Sequence, residues 1–393
     1  MTASRKKERT FVLFFRAAIL SSLAMAAACG PRLPEPSEPK LPPTKPEAVD
    51  ALKDAARLVR LGPANYDRAL ERLRAAVELD ANLWEAWYDL GWVQLELHHP
   101  EGAVPALEKA LAILPTHVPA VEALGAAYSD LGRAADAAKL YRGWLERRAD
   151  DPKGAPLRVL LGGALRRAGK LEDAIEALRT ALRQQPRSTA ALNQLGLVYQ
   201  AKGQLELADL VLHRALEVDD KSKAAAETWN NLGLVALARR RDQEAFAHFD
   251  QAARLDPQLT VARRNKAIVY LDCGDYQRAV DELKQVTKAD ASDGEAWIAL
   301  GVAERGRGKL DEAQRAYDQA LEVSPQAPDA LYDLGVLYMD FKKDPARAYK
   351  RLGEFVKAAP GNHPKRADAE ARLKELAPKV APEPKSESGG TKP

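Results

Sequence analysis

A leucine-glycine pair recurs along the chain at a nearly constant interval, and this recurrence limits the fold more than any other feature. Between successive glycines of these pairs the intervals are 34, 37, 34, 37, 68 and 34 residues, and 68 is twice 34. A period of 34 residues is typical of helix-turn-helix repeats that stack on one another. The pairs are Leu90-Gly91, Leu124-Gly125, Leu161-Gly162, Leu195-Gly196, Leu232-Gly233, Leu300-Gly301 and Leu334-Gly335.

Glycine in the interior of a helix costs up to about 1 kcal/mol relative to alanine, so its repetition needs a compensating gain. A position without a side chain lets the two helices of one repeat approach closely. Large neighbours such as Trp87 and Leu90 then fill the space around it, and each buried apolar side chain contributes roughly 1.5 to 3 kcal/mol. We therefore expect close helix-helix contact at every repeated glycine.

The unit at residues 84–117 carries a longer pattern around its glycine. Its key positions are Trp87, Leu90, Gly91, Ala103, Leu107, Ala110 and Pro115. This pattern resembles the tetratricopeptide repeat (TPR), which reads W-x-x-L-G-x-x-Y on a first helix and then alanine, a large residue, alanine and proline on a second. The resemblance implies an all-α, right-handed TPR solenoid of about nine helix-turn-helix units plus a carboxy-terminal capping helix.

The repeat pattern also divides the chain. A degenerate first unit is predicted at 49–83, an array at 84–362, a capping helix at 363–378 and a disordered, strongly polar tail at 379–393. In the last unit, one extra residue near Asp344-Pro345 is expected to shift the second helix. The units of the array are 84–117, 118–151, 155–188, 189–222, 226–259, 260–293, 294–327 and 328–362.

The amino terminus follows a different pattern. Four basic residues lie among the first nine, Arg16 follows, and residues 17–28 are free of charge. Twelve such residues are too few to span a hydrocarbon core of about 30 Å. Residues 1–28 are therefore predicted to be a secretion signal, and the mature protein to be exported.

The end of this signal resembles the lipobox of bacterial lipoproteins, because three alanines precede Cys29. The resemblance implies a covalent lipid on Cys29 as the membrane anchor and no other cofactor. Gly30 is not the aspartate that typically retains such proteins at the inner membrane, which implies an outer-membrane lipoprotein facing the periplasm. The family prefers leucine where this chain has Ala26, and cleavage by ordinary signal peptidase is the alternative.

Residues 29–48 are predicted to be a flexible linker. Seven prolines lie between positions 31 and 47, and such composition favours an extended polyproline conformation. A linker of this kind would hold the folded repeats away from a membrane anchor.

Charge and sequence motifs exclude several function classes. Without the residues before Cys29 the chain has 54 basic and 55 acidic residues, which argues against a nucleic-acid partner. Gly163, Gly169 and Lys170 only approximate a phosphate loop, and the required Ser/Thr is missing, so no nucleotide is expected. Cys273 is expected to be a small apolar residue at the end of a first helix.

Metal binding and catalysis are not expected either. The six histidines are scattered, without the clustered ligands that a metal site needs. No catalytic domain is left beside the repeats, which fill residues 50–362. The chain is therefore interpreted as a non-enzyme.

In TPR proteins the first helices line a concave groove, and positions two, five, six, nine and twelve of each unit reach into it. By this resemblance, amides and one arginine would form the middle of a partner-binding groove. Amides donate and accept hydrogen bonds, as the backbone of an extended peptide requires. The alternative is that they are polar residues solvated on an exposed helix face. These residues are Asn193, Gln194, Asn230, Asn231, Arg264 and Asn265.

Tyr88 and Trp92 would add an apolar patch near the amino end of the same groove, and aromatic side chains often anchor partners. The alternative is that the preceding degenerate repeat buries them. The carboxylate clamp of chaperone adaptors is approximated only by Asn193, Asn230 and Arg264.

The favoured function is a membrane-anchored scaffold that binds proteins or extended peptides of the cell envelope. Repeat lipoproteins of this type serve pilus secretins, outer-membrane assembly and gliding motility, so the resemblance implies a machine of the gliding, type IV pilus or secretion type. The alternative is a periplasmic adaptor that binds a polysaccharide or peptidoglycan polymer or regulates a cell-wall enzyme.

Overall fold

The computed structural model describes residues 41–148, 151 and 154–380. Within these ranges the chain forms helices and connecting turns, and it forms no strand. The predicted signal at 1–28, Cys29, most of the linker and residues 381–393 of the predicted tail lie outside the described residues. A short 3-10 helix spans Pro63–Asn65 and a π-helix spans Leu337–Phe341.

Nineteen α-helices follow one another in the described residues. They are α1 (Pro46–Arg60), α2 (Tyr66–Leu79), α3 (Trp84–Glu96), α4 (Pro100–Ile113), α5 (Val118–Asp130), α6 (Ala134–Glu146), α7 (Gly154–Arg167), α8 (Leu171–Gln184), α9 (Thr189–Ala201), α10 (Leu205–Val218), α11 (Ala225–Ala238), α12 (Asp242–Leu255), α13 (Thr260–Asp272), α14 (Tyr276–Ala289), α15 (Gly294–Gly306), α16 (Leu310–Val323), α17 (Pro328–Val336), α18 (Pro345–Ala358) and α19 (Arg366–Val380).

The helices are organised in two compact units, an amino-terminal unit that ends at Arg214 and a carboxy-terminal unit that begins at Ala215. Within each unit the two helices of a hairpin pack on each other, as α3 does on α4 and α11 on α12. First helices of successive hairpins also touch, as α7 does α9 and α13 does α15. The prediction of an all-α fold of helix-turn-helix repeats is therefore confirmed.

The repeated glycines lie where the two helices of a hairpin come closest. A Cβ atom added to Gly91 would lie 2.5 Å from Cγ of Leu107, and one added to Gly162 would lie 2.5 Å from Cγ of Leu178. At Gly233 an added Cβ would overlap the ring of Phe249. The first helices that carry the repeated glycine thus present bare backbone to a large side chain of their second helix, as the sequence predicts.

The turn between the two helices of most hairpins needs a left-handed residue. Gly169, which the near-match to a phosphate loop includes, has φ of +74° and forms such a turn. Glycine adopts this conformation without the steric cost that other residues incur. The corresponding turn residues are Gly132, Gly169, Gly203, Gly274 and Gly308, with His98, Arg240 and Lys343 in the remaining turns of this type.

The structure places the extra residue of the last unit earlier than predicted. Lys343 takes the left-handed turn one residue later than the 34-residue register requires, so the insertion precedes it. The π-helix Leu337–Phe341 absorbs one residue by widening the end of the first helix. Asp344-Pro345 is an ordinary helix start, because the Asp344 side chain accepts a hydrogen bond from the backbone N–H of Arg347.

Helices at both ends extend beyond their predicted limits. Helix α1 begins at Pro46, inside the predicted linker, because the fixed φ angle of proline suits the first helical position. Helix α19 continues past Pro378 to Val380, two residues into the predicted tail, and an ion pair of 2.8 Å joins Lys379 to Glu375. Ala369 of α19 is fully buried, as expected for a helix that covers the end of the array.

Replacing Gly233 tests the close approach of the helices. Gly233→Ala is expected to lower the free energy of unfolding by about 1 to 3 kcal/mol, because the ring of Phe249 is fully buried and has no space to move. Urea unfolding followed by circular dichroism measures the change.

Gly353 in α18 is the matched control, because nothing lies within 4 Å of a Cβ atom built there. Gly353→Ala should be neutral or stabilising by up to about 1 kcal/mol, through helix propensity alone. Equal effects of the two substitutions would contradict close contact at Gly233.

Candidate functional site

The predicted groove residues lie on the first helices of the hairpins, on a surface that we call the first-helix face. It comprises positions two, five, six, nine and twelve of each unit, with Trp84 as position one of the unit at 84–117. Tyr88 and Trp92 lie on α3, and Asn193 and Gln194 on α9, in the amino-terminal unit. The other four residues lie on α11 and α13 in the carboxy-terminal unit.

Tyr88 and Trp92 are half-buried, and each packs on another ring. Tyr88 meets His117 edge-on with ring centroids 4.7 Å apart, and Trp92 meets Tyr66 of α2 at 6.2 Å. The alternative in which the preceding repeat covers the patch therefore applies to Trp92. Burial lowers the pKa of His117 to about 4, so its ring is neutral at physiological pH.

An acidic group lies beside the aromatic patch. Asp89 occupies position six of α3, and its pKa is raised to about 7, first by burial and then by repulsion from Glu85 one turn earlier. At neutral pH Asp89 is therefore close to half protonated. This end of the first-helix face disfavours an anionic ligand.

The amides of the carboxy-terminal unit are buried. Asn230, Asn231 and Asn265 are 6%, 8% and 8% exposed, and Nδ2 of Asn265 donates to Oδ1 of Asn230 at 2.8 Å. The interpretation of this run as free peptide-binding amides is corrected for that pair, and the solvated alternative does not describe it either. One hydrogen bond between neighbouring first helices accounts for the burial of Asn230 and Asn265.

Arg264 is neutralised by the following first helix. Its Nη1 lies 2.6 Å from Oδ1 of Asp293, and its Nη2 lies 2.9 Å from Oε2 of Glu295. Its side chain is 18% exposed. Within the carboxy-terminal unit Arg264 therefore holds α13 against α15, and it is not free to act in a carboxylate clamp.

The amides of the amino-terminal unit have side-chain oxygens without hydrogen-bond partners. Asn193 is 6% exposed and its Oδ1 has no hydrogen-bond partner. The Oε1 atom of Gln194 is also buried without a partner. A Cβ atom added to Gly163 of α7 would lie 3.1 Å from that oxygen, which places the bare backbone of α7 beside it.

An arginine of the same region was missed by the sequence analysis. Arg166 lies three residues after Gly163 on α7, at position twelve of its unit, and its buried Nε atom has no partner. Burial, with a second contribution from neighbouring Arg167, lowers the pKa of Arg166. Position twelve belongs to the groove positions of the repeat family, so reading that position as well as five and six would have identified it.

We call this region the α7–α9 cleft, after the two helices that form it. It contains two buried amide oxygens of α9, the backbone of Gly163 beside one of them, and Arg166 three residues later on α7. Its residues are Leu160, Gly163, Arg166, Asn193 and Gln194.

A second concave feature follows the outer side of α6 in the same unit. It is an open cleft of about 900 Å³ whose rim carries Lys139, Arg142 and Lys170. Arg142 is paired with Asp173 at 3.0 Å. Most of its lining belongs to the second helix α6, and the lining residues Tyr128 of α5 and Leu165 of α7 occupy position eleven of their units. The cleft is therefore separate from the first-helix face.

Three further features concern Cys273, metal binding and membrane-spanning helices. Cys273 directly follows α13, as predicted, but it is exposed. In the described part of the chain no group of three or more His, Cys, Asp and Glu side chains is arranged to hold a metal ion. Among the helices of that part, none has both the length and the apolar character needed to cross a membrane.

Models of one repeat family match most of the chain. A model described as "TPR repeat" matches residues 162–203 and 303–340. Models described as "Tetratricopeptide repeat" match residues 95–161 and 236–301, 58–118 and 193–260, and 329–362. Together these matches extend from the first hairpin to the end of the predicted array.

Two curated relatives resemble the chain at 25% identity. BBSome complex member BBS4 of Bos taurus aligns over 314 residues, 79% of this chain and 59% of that protein. Protein FlbA of Caulobacter vibrioides aligns over 286 residues, 72% of this chain and 41% of that protein. The chain thus spans less than two thirds of the length of either relative.

A solved structure shares the fold. The chain resembles one in the crystal structure of the APC/C hetero-tetramer Cut9-Hcn1 with a TM-score of 0.53 and 15% identity, over 84% of this chain and 76% of that chain. At this identity the similarity concerns the fold alone.

The amide pair can be tested apart from any ligand. Asn265→Leu is expected to lower the free energy of unfolding by about 1 to 3 kcal/mol, because it leaves Oδ1 of Asn230 buried without a donor. The double variant Asn230→Leu, Asn265→Leu should lose less than the sum of the two single variants. Urea unfolding measures all three, and strictly additive losses would show that the bond contributes nothing.

Proposed function

The chain belongs to the tetratricopeptide repeat family, and from this we propose that it is a non-enzymatic, membrane-anchored scaffold that binds protein partners through its first-helix face. Repeats of this family are modules of protein-protein interaction. The proposed partners are proteins or extended peptides of the cell envelope.

The observation that carries the proposal is the group of unpartnered polar atoms in the α7–α9 cleft. Buried polar groups normally have hydrogen-bond partners, and an exception needs an explanation. Asn193 and Gln194 present oxygen atoms without donors, and a peptide backbone supplies N–H donors at regular intervals. Leu160, 37% exposed on α7, adds apolar surface to the same place.

The proposals of a membrane anchor and of a role in an envelope machine are supported by the sequence alone. The uncharged segment that ends at Cys29 supports export and lipidation, and the proline-rich residues that follow support a spacer. These features favour an assembly role at the outer membrane, in a gliding, type IV pilus or secretion machine. In this role the lipid fixes the chain at the membrane while the repeats hold the partner.

A charge on the first-helix face should abolish partner binding. Leu160→Lys places an ammonium group where the partner would otherwise bury apolar surface, and burial of an unpaired charge is costly. We expect at least a tenfold loss of co-purified proteins from envelope extracts of the native host, measured by quantitative mass spectrometry.

Leu210→Lys is the matched control, because Leu210 is 65% exposed on the second helix α10. It should leave the co-purified proteins unchanged. Equal recovery with both variants would contradict binding at the first-helix face. Recovery of polysaccharide or peptidoglycan in place of proteins would favour the polymer-binding adaptor.

Replacing Cys29 tests the anchor separately. Cys29→Ser removes the only thiol that the lipobox-like sequence offers for lipidation, so the protein should move from the membrane to the soluble fraction. Fractionation followed by immunoblotting measures this, with Cys273→Ser as the control that should stay in the membrane. A Cys29→Ser protein that still pellets with membranes would refute the lipid anchor.

A further inference from the structure

We propose that the open cleft along α6, which we call the α6 cleft, binds an acidic amphipathic helix of a second protein partner. The α6 cleft is separate from the first-helix face, so this inference goes beyond the proposed function. A chain that uses both surfaces holds two partners at once. The site lies entirely within the amino-terminal unit.

The α6 cleft has the dimensions of a helix that sinks to about half its depth. Its lining extends from Ala135 to Arg147, which is about 18 Å along the axis of α6 at about 1.5 Å per residue. A volume of about 900 Å³ over this length gives a mean cross-section of about 50 Å². A helix with its side chains is about 10 to 12 Å in diameter, which is a cross-section of about 80 to 110 Å².

Gly143 leaves bare backbone on the side of α6 that lines the cleft. A Cβ atom built there would meet only Nη2 of Arg147, at 3.8 Å. The glycines of the first helices differ, because each of the repeated ones lies against a large side chain of its own hairpin. A glycine inside a helix costs up to about 1 kcal/mol relative to alanine, and no packing within this unit explains that cost at Gly143. Bare backbone permits the close approach of another helix.

The rim of the α6 cleft has an excess of positive charge. Four basic and two acidic side chains line it. Lys139 on α6 and Lys170, directly before α8, are exposed, and neither forms an ion pair with a described residue. Arg142 is paired with Asp173 at 3.0 Å, but its side chain is still 46% exposed. Acidic side chains on both flanks of a bound helix would therefore meet cations on both walls of the cleft.

The sequence around the cleft has the same sign of charge. Residues 118–188, which form the two hairpins beside the cleft, contain 13 basic and 9 acidic residues. Residues 46–117, which form the two preceding hairpins, contain 7 basic and 12 acidic residues. The excess of positive charge is therefore a local property of the hairpins that form the α6 cleft. It favours the association of an acidic partner at this place.

The backbone around the cleft favours a helix over an extended peptide. Extended peptides commonly bind by adding a strand to the edge of a sheet, and the described residues contain no strand. The cleft lies between helices, whose backbone groups are bonded within each helix. A bound helix likewise satisfies its own backbone, so it needs only apolar surface and flanking charges. Leu140 and Ala168, both partly exposed in the lining, supply apolar surface.

The test uses the full-length chain and a phage-displayed library of peptides of about 15 residues, a length at which helices begin to form in water. Leucine is fixed at helical spacing on one face, and the flanking positions are drawn equally from Glu, Gln and Lys. Selected peptides should be enriched in Glu over Lys. The peptide that binds best is then made as a fluorescent probe, and its Kd is measured by anisotropy.

Filling the cleft should block the peptide. Gly143→Phe places a ring in open space above α6, so it should weaken binding at least about tenfold without disturbing the core. Gly353→Phe is the matched control, because Gly353 lies on the second helix α18 and nothing lies within 4 Å of a Cβ atom built there. It should leave Kd unchanged. Circular dichroism checks that both variants are folded.

Reversing the rim charge should reverse the preference for acidic peptides. Lys139→Glu combined with Lys170→Glu should weaken binding at least about tenfold, because like charges then face each other. Lys109→Glu, at an exposed residue of α4 outside the lining, should have no effect. A peptide with Lys in place of each Glu should bind the wild type at least about tenfold more weakly than the acidic peptide. This last measurement tests the wild-type chain even where a variant fails to fold.

Several results would overturn the inference. The α6 cleft is not a helix site if no peptide is selected, if Glu is not enriched, or if Gly143→Phe binds like the wild type. Vesicles of phosphatidylglycerol that bind the wild type but not Gly143→Phe, in the absence of peptide binding, would assign the cleft to an anionic membrane surface. Leu160→Lys should leave peptide binding unchanged, and a loss there would place the peptide on the first-helix face. None of these results affects the binding of a partner at the first-helix face, which is measured separately.

Discussion

The contact between a bare glycine and a large side chain inside most hairpins is the constraint on which the rest of the structure depends. Gly233 against Phe249 and Gly301 against Tyr317 bring the paired helices to a distance at which any side chain would collide. The degenerate unit tolerates Ala267 opposite Leu283, and both residues are fully buried. In this unit the position accommodates a methyl group beside leucine.

Close pairing within hairpins leaves successive first helices in contact with each other. Residues at positions five and six are then within reach of the neighbouring first helix, and their chemistry decides whether they bond internally. The amide of Asn265 donates a hydrogen bond to the amide oxygen of Asn230. Val159 and Gln194 occupy the corresponding positions but leave an oxygen without a donor. One backbone arrangement therefore yields a closed polar contact in one unit and an open one in the other.

The fold was predictable because periodicity depends on local sequence, whereas the site depends on pairs of residues far apart in sequence. The 34-residue spacing of Gly91 and Gly125 already indicates stacked hairpins. Whether the Arg264 side chain is available to a ligand depends on its ion pair with Asp293, 29 residues later. No pattern in the sequence around Arg264 indicates that the two side chains meet. The extra residue of the last unit was misplaced for a related reason. Asp344-Pro345 is a strong helix-start signal in itself, and it masked the insertion in the preceding first helix.

Charge along the amino-terminal first-helix face is unequal. Asp89 and Glu85 lie on α3, and Arg166 lies two first helices later on α7. The end of this face at α3 therefore carries acidic groups, and the part at α7 carries a cation. Because the pKa of Asp89 is about 7, its charge grows as pH rises through neutrality. The difference in charge between α3 and α7 therefore grows with pH, because the guanidinium of Arg166 stays charged.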